Sequence, residues 1–204
     1  MITLHHLRIG RSLYTIWLLE ELGCEYQLKT YHRDQNMRAP AELKNVHPLG
    51  KSPVIEHDGL VLSESGAITS YLLALYDQDH ALSPSSTDLK AWANYNQWLH
   101  YPEASVFMPV FMQVLLLREA NKSEIIAGFC QAEAKLHLDN IAQQLGDNSY
   151  ILGESLSGAD FGLAFVINLA NQLNLLQNYP NLSAYLERIK SRPAFKAAVE
   201  KGVE

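Results

Sequence analysis

The chain has 204 residues, 48% of them hydrophobic and 19% charged, with a formal net charge of −6. That length holds one large or two small domains, and the composition is that of a soluble globular protein. The acidic balance argues against nucleic acid or an anionic membrane as the main partner, and no apolar run approaches the roughly 20 residues needed to cross a bilayer. The N-terminus has no basic segment followed by an apolar core, so no secretory signal is read there and a cytoplasmic setting is expected. Two cysteines, Cys24 and Cys130, stand far apart. Without a Cys-x-x-Cys pair, neither a zinc knuckle nor a dithiol redox site is expected, and both thiols read as buried and inert. The eight histidines show no helical His-x-x-x-His, so no metal site is expected. His5 and His6 are neighbours in a strand, so their side chains point to opposite faces.

In chain order, residues 2–5 read as a strand and residues 8–11 as a turn. Residues 12–22 read as a helix with Leu13, Ile16, Trp17, Leu19 and Leu22 at its apolar positions, stopped by Gly23. Residues 25–31 alternate as a strand, residues 32–38 as a polar loop, and residues 40–44 as a short helical piece broken by His47-Pro48. Asp58-Gly59 separates two apolar runs, residues 53–55 and 60–62, which is the signature of a hairpin with a type I′ turn. Pro53 opens the first of these runs, where an X-Pro bond is tolerated and a cis form is available. In the cis form it turns the main chain of Ser52 outward, free to pair with a peptide laid alongside. The next helix buries Ile68, Tyr71, Leu72 and Leu75. Its first turn carries Ser63, Glu64, Ser65 and Gly66, with free N–H groups that favour an anion. A carboxylate beside an anion site suits an amino-acid head bearing both charges. The plainer reading is an ordinary hairpin with a serine-capped helix.

Residues 77–88 form a polar linker and mark a domain boundary. Everything beyond reads as helical. Pro102 and Pro109 are expected to kink or split residues 88–119. Residues 122–145 are amphipathic, with Ile125, Ile126, Phe129, Ala132, Leu136, Leu138, Ile141 and Leu145 as the apolar set. Ser157 and Asp160 form a capping box stapled by Leu156 and Phe161, at the head of a helix that is apolar nearly all round through Leu173. Asp160 is therefore given a structural role. Residues 182–189 and 194–199 read as two last short helices separated by Pro193.

Strand–helix–strand followed by hairpin and helix is the thioredoxin-like plan, a parallel pair extended by an antiparallel hairpin. The expected fold class is a thioredoxin-like α/β N-terminal domain, residues 1–77, with an all-α helical bundle, residues 88–204. In that plan the ligand site lies where the first helix begins and the loop before Pro53 comes close. Gly10-Arg11-Ser12-Leu13 holds the place where redox relatives carry Cys-x-x-Cys, so the scaffold would bind a thiol and supply none.

Gly-Lys-Ser-Pro-Val-Ile at 50–55, Asp-Gly at 58–59 and Glu-Ser-Gly-Ala-Ile at 64–68 resemble the glutathione-binding half of the glutathione transferase superfamily. The wording of residues 47–55 resembles a branch found in fungi and proteobacteria. The resemblance implies that Glu64 and Ser65 hold the γ-glutamyl head of glutathione. It implies that Ser52, before cis Pro53, pairs with the cysteinyl part and that Lys51 meets the glycine end. It also implies a homodimer, glutathione as co-substrate, and a detoxifying attack on a small hydrophobic electrophile or peroxide. A glutathione-dependent lyase or isomerase, or a glutathione-binding regulatory protein of the same fold, stays open. Such an enzyme must make a thiol of pKa ~8.5 nucleophilic, and an approximately hundredfold gain in thiolate is worth about 2.7 kcal/mol. Ser12 is the candidate hydroxyl for this catalytic role, with simple N-capping as its other reading. The close branch reads Ser-Arg-Ser in this turn and this chain reads Gly10-Arg11-Ser12. The imidazoles of His5 or His6, or backbone donors with Arg11, are therefore further candidates. Residues 98–103 resemble the segment facing the active site. This implies a second-substrate role for Tyr101, whose other reading is packing.

Overall fold

The first strand, β1 (Ile2–Leu7), is buried along nearly its whole length in the computed structural model, which describes residues 1–121 and 123–203. It lies inside a four-stranded sheet of order β2-β1-β3-β4, where β2 is Tyr26–Tyr31, β3 is Val54–His57 and β4 is Leu60–Ser63. β1 and β2 run parallel, while β3 pairs antiparallel with both β1 and β4. This is the expected thioredoxin-like sheet. Helix α1 (Ser12–Leu22) connects the parallel pair, α2 (Leu43–Val46) lies in the connection to β3, and α3 (Ser65–Tyr76) follows the hairpin. Local chemistry sets each boundary. Gly23 ends α1 in the left-handed region at φ 62 and bonds back to Glu20 and Leu19, as a C′ glycine does. Asp58 and Gly59 take φ of 48 and 82, the double positive φ of a type I′ turn. Ser12 proves to be the first helical residue and not the cap. Arg11 precedes it in helical conformation and makes no side-chain capping bond.

The chain folds as two units, Met1–Ala81 together with the segment from Lys190 onward, and Leu82–Ile189. In the second unit, α4 (Leu89–Tyr101) starts at Asp88, whose carboxylate accepts from Ala91 N–H at 3.1 Å. It runs into a π-helical turn, Pro102–Val106, and then α5 (Phe107–Leu116). Proline brings no N–H to the helical ladder, and the wide turn closes where Phe107 N–H reaches Pro102 O. Pro109 falls in the first turn of α5 and does not break it. Helix α6 (Glu124–Leu145) is capped by Ser123 and buries Cys130, Ala134, Leu138, Ile141 and Leu145. Part of the expected apolar set faces outward instead, with Ile125 85% and Phe129 64% exposed. The helix has apolar residues on more than one face, and periodicity does not say which face packs.

Helix α7 (Gly158–Gln172) begins with the expected capping box. Asp160 is fully buried and accepts from Ser157 N–H and Oγ, both at 2.9 Å, and from Ile151 N–H and Tyr185 Oη, both at 3.0 Å. Burial pushes its carboxyl up and these donors pull it back. Gly158 N–H donates to Leu82 O at 2.7 Å, which ties the helix to the start of its unit. Helix α8 (Pro180–Ser191) follows.

The last helix, α9 (Pro193–Gly202), packs with the first unit, although chain order groups it with the helical domain. Phe195 meets Trp17 of α1 edge to face at 5.5 Å. Arg192 forks onto Glu21 with contacts of 2.5 and 2.8 Å, and Lys201 reaches Glu20 at 2.6 Å. The expected division at residues 77–88 thus leaves out a C-terminal piece that belongs with the sheet. An amphipathic helix advertises an apolar face and is silent about its partner.

Candidate functional site

The end of β1 governs the region. Leu7 N–H is shared between Ser12 Oγ at 3.2 Å and Ser52 Oγ at 3.1 Å, and Ser52 Oγ donates to His5 O at 2.7 Å. A serine side chain thus stands in for ladder bonds where β3 has not yet begun. It ties the loop before Pro53 to the turn leading into α1, the juxtaposition expected from the fold plan. The Ser52–Pro53 bond is cis, and Pro53 is buried.

Register carries the site across the hairpin. Val54 pairs with Ser63, so Pro53 and Glu64 are the next residues outward on adjacent strands. Glu64 is exposed, sits at φ 70 before the first turn of α3, and makes no side-chain capping bond. Left-handed φ is uncommon for glutamate and marks a position worth explaining. Ser65, half-buried, opens α3, and Lys51 is exposed. His47 Nε2 reaches Ser63 Oγ at 3.3 Å and His47 O accepts from Gly50 N–H at 2.8 Å. Gly50 lies at φ 58, where a Cβ would stand 2.9 Å from Lys44 Cγ. Of the predicted residues, Lys51, Ser52, Pro53, Glu64 and Ser65 therefore share one region: the loop before β3 and the head of α3.

Ser12 belongs elsewhere. It has no exposed surface, and its Oγ meets His6 Nδ1 at 2.9 Å, Leu7 N–H at 3.2 Å and Leu7 O at 3.3 Å. A hydroxyl enclosed in that way cannot touch a ligand sulfur, so its role is to brace the start of α1. The histidine candidates fail for the same reason. His5 is 1% exposed, with Nδ1 at 2.9 Å from Tyr31 Oη and Nε2 at 2.6 Å from Glu56. His6 is fully buried, with its other nitrogen 3.1 Å from Gly202 O. Burial lowers both imidazoles below their ordinary range, against the pull of Glu56 on His5 and of the Gly202 carbonyl on His6. What remains of the candidates near the turn is main chain with Arg11, which is half-buried. Ile9 is 62% exposed at φ 57, and Arg33 holds the carbonyls of Arg8 and Ile9. Sequence reasoning missed Arg33 because it sits in a polar stretch that reads only as loop.

Tyr101, in the second unit, is half-buried. Its hydroxyl is 2.7 Å from His137 Nδ1 and accepts from Asn140 at 3.1 Å, joining α4 to α6. Its ring packs edge to face on Trp98 at 5.2 Å. Burial pushes its phenol up, so it stays protonated. Cys24 is half-buried and Cys130 buried, both unbridged, and burial raises the Cys24 thiol.

A thioredoxin-like four-stranded sheet with a cis-proline loop, followed in the chain by an all-helical unit, defines a thioredoxin-like class of two-unit proteins. This chain belongs to the glutathione S-transferase family. Residues 1–74 match the glutathione S-transferase N-terminal domain and residues 106–202 the C-terminal domain. It is 33% identical to glutathione S-transferase 3 of Schizosaccharomyces pombe over 217 residues, covering 98% of this chain and 88% of that one. Among solved structures, a glutathione S-transferase from Actinobacillus pleuropneumoniae is 37% identical with a TM-score of 0.90, covering 100% of this chain and 93% of that one. A family member from Pseudomonas fluorescens, solved with two glutathione bound, is 27% identical with a TM-score of 0.80, covering 98% of this chain and 92% of that one.

Proposed function

We propose that this chain is a glutathione S-transferase of the fungal and proteobacterial branch, a cytoplasmic homodimer that detoxifies small hydrophobic electrophiles or peroxides. Glutathione is its co-substrate and no metal is required. The observation that carries the reading is the head of α3. Glu64 is held exposed in a costly conformation, spends its carboxylate on no capping bond, and stands beside Ser65 and the register-matched Pro53. That arrangement suits the γ-glutamyl head, with the ammonium on Glu64 and the carboxylate on Ser65 and the helix N–H groups. The main chain of Ser52 pairs with the cysteinyl part, and Lys51 meets the glycine carboxylate. Tyr101 offers its ring to the electrophile, its hydroxyl being engaged by His137 and Asn140. Relatives in a fungus and a bacterium support the branch. Exposed apolar side chains support association of two copies, Leu60, Val61 and Tyr76 in the first unit and Leu89 and Trp92 in the second.

The thiolate attacks an electrophilic carbon, a C–S bond forms, and the leaving group departs with the bonding pair. With a hydroperoxide, two glutathione thiols are oxidised to the disulfide while the O–O bond is reduced to alcohol and water. Calorimetric titration with glutathione, together with turnover of an aryl halide and a hydroperoxide, tests the reading. Saturable binding with turnover is expected. Binding without turnover returns the regulatory alternative, and no binding defeats both.

A further inference from the structure

Arg33 holds the turn between β1 and α1 from outside the turn. Arg33, just beyond β2, donates from Nε to Arg8 O at 3.1 Å, from Nη2 to Ile9 O at 2.7 Å and from Nη1 to Met37 O at 3.1 Å. A guanidinium presents its donors in a rigid planar fork, so the carbonyls of consecutive residues are fixed toward it. The Ile9–Gly10 peptide is trans, and in a trans peptide the N–H points opposite to the C=O. Gly10 N–H is therefore turned away from Arg33. Glycine accepts either orientation of that peptide, so residue 10 does not fix it by itself. Ile9, β-branched at φ 57, is a backbone outlier of the kind that persists only when its surroundings impose it.

The same guanidinium explains the glycine. A Cβ on Gly10 would stand 3.3 Å from Arg33 Nη2 and 3.0 Å from Leu7 O. Resembling sequences carry a serine here, and a side chain at 10 competes with Arg33 for one space.

We infer that Arg33 is the positioning residue of the thiol-activating turn: it locks the Ile9–Gly10 peptide so that Gly10 N–H donates to the glutathione sulfur. This rests on the transferase reading above, which pairs the cysteinyl part with Ser52, the residue that the shared Leu7 N–H ties to this turn. The donor favours thiolate over thiol, as hydrogen bonds to a charged form do. It replaces the hydroxyl that Ser12, being buried, does not supply. Arg33 acts through the peptide and does not touch the sulfur. The other cations of the turn, Arg8 and Arg11, are left in place in every variant below.

The test uses full-length Arg33→Gln, Arg33→Lys and Gly10→Ala. S-methylglutathione, which has no thiol, reports binding of the tripeptide alone. The acid limb of kcat/KM for glutathione, with the ultraviolet absorbance of bound thiolate, reports activation. Arg33→Gln is expected to move the acid limb up by about one pH unit and to lower kcat/KM at neutral pH about tenfold, with S-methylglutathione affinity within about twofold of wild type. Arg33→Lys keeps the charge and loses the fork, so it is expected to behave like Arg33→Gln. A wild-type profile in either Arg33 variant overturns the inference. Should Arg33→Gln fail to fold, Gly10→Ala presses on Nη2 from the other side. A raised limb with binding retained is expected there, and an unchanged limb counts against the inference. Wild-type protein that does not bind S-methylglutathione overturns the transferase reading and this inference with it, whereas wild-type binding with unshifted variants overturns this inference alone.

Discussion

Nε2 of His6 lies 3.1 Å from the carbonyl oxygen of Gly202, 196 positions further along the chain. A carbonyl only accepts, so Nε2 carries the proton and Nδ1 is left to accept from Ser12 Oγ at 2.9 Å. One buried imidazole thus joins β1, the start of α1 and the end of α9.

That imidazole makes stability depend on acid. Burial holds His6 below its ordinary value of 6.5, the Gly202 carbonyl opposes this, and Arg8 and His32 add to it. With the folded value below the unfolded one, the unfolded chain takes up the proton first as pH falls. The stabilisation is present in full above about pH 6.5 and is lost as pH drops through and below it. Urea midpoints measured on either side of that pH are expected to fall less in His6→Gln than in wild type. A slope remains from His5, whose shift has the same sign. Equal slopes in the two proteins would remove His6 from this account.

Ser12→Ala separates bracing from catalysis. Removing the hydroxyl leaves His6 Nδ1 without the donor it faces, at a cost of about 1–3 kcal/mol for a buried group. The denaturation midpoint is expected to drop accordingly, while the acid limb of kcat/KM for glutathione stays in place. A shifted limb would restore Ser12 as thiol activator.

Glu64→Gly is expected to move stability and binding in opposite directions. Glycine accepts the φ of 70 at no steric cost, so thermal stability rises, by up to about 1 kcal/mol. The carboxylate is lost, so glutathione affinity measured by calorimetry falls about tenfold or more, the scale of a charge-assisted hydrogen bond. Unchanged affinity would detach Glu64 from the γ-glutamyl head.

Deleting residues 193–204 is expected to unfold the first unit. Phe195 and Ala198 are buried, and the loss uncovers Trp17, which is fully buried and whose Nε1 donates to Glu21 at 2.7 Å. Burial of an aromatic of this size is worth about 1.5–3 kcal/mol, and the Lys201–Glu20 contact goes with it. Tryptophan emission should shift to the red. Arg192→Ala, which removes the fork on Glu21 and leaves Phe195 and Ala198 in place, should lower the midpoint without that shift. A truncated protein with native emission would show that α9 is an appendage.

The features legible in residue order are those whose partners lie a few positions away. The Asp58-Gly59 turn, the Gly23 stop and the Ser157-x-x-Asp160 box each close hydrogen bonds within a single turn, so local sequence determines them. The sheet plan followed from their order, while the grouping of Lys51–Pro53 with Glu64–Ser65 was implied by the family resemblance and is accounted for by hairpin register. The tertiary structure alone decided that Ser12 is sealed behind His6, that Arg33 reaches back 24 positions to Ile9, that α6 turns Phe129 outward, and that α9 returns to the sheet. Each of these is a choice among distant surfaces of similar polarity. Periodicity gives a helix its apolar face, but only the competition for buried volume and for unsatisfied carbonyls assigns that face a partner.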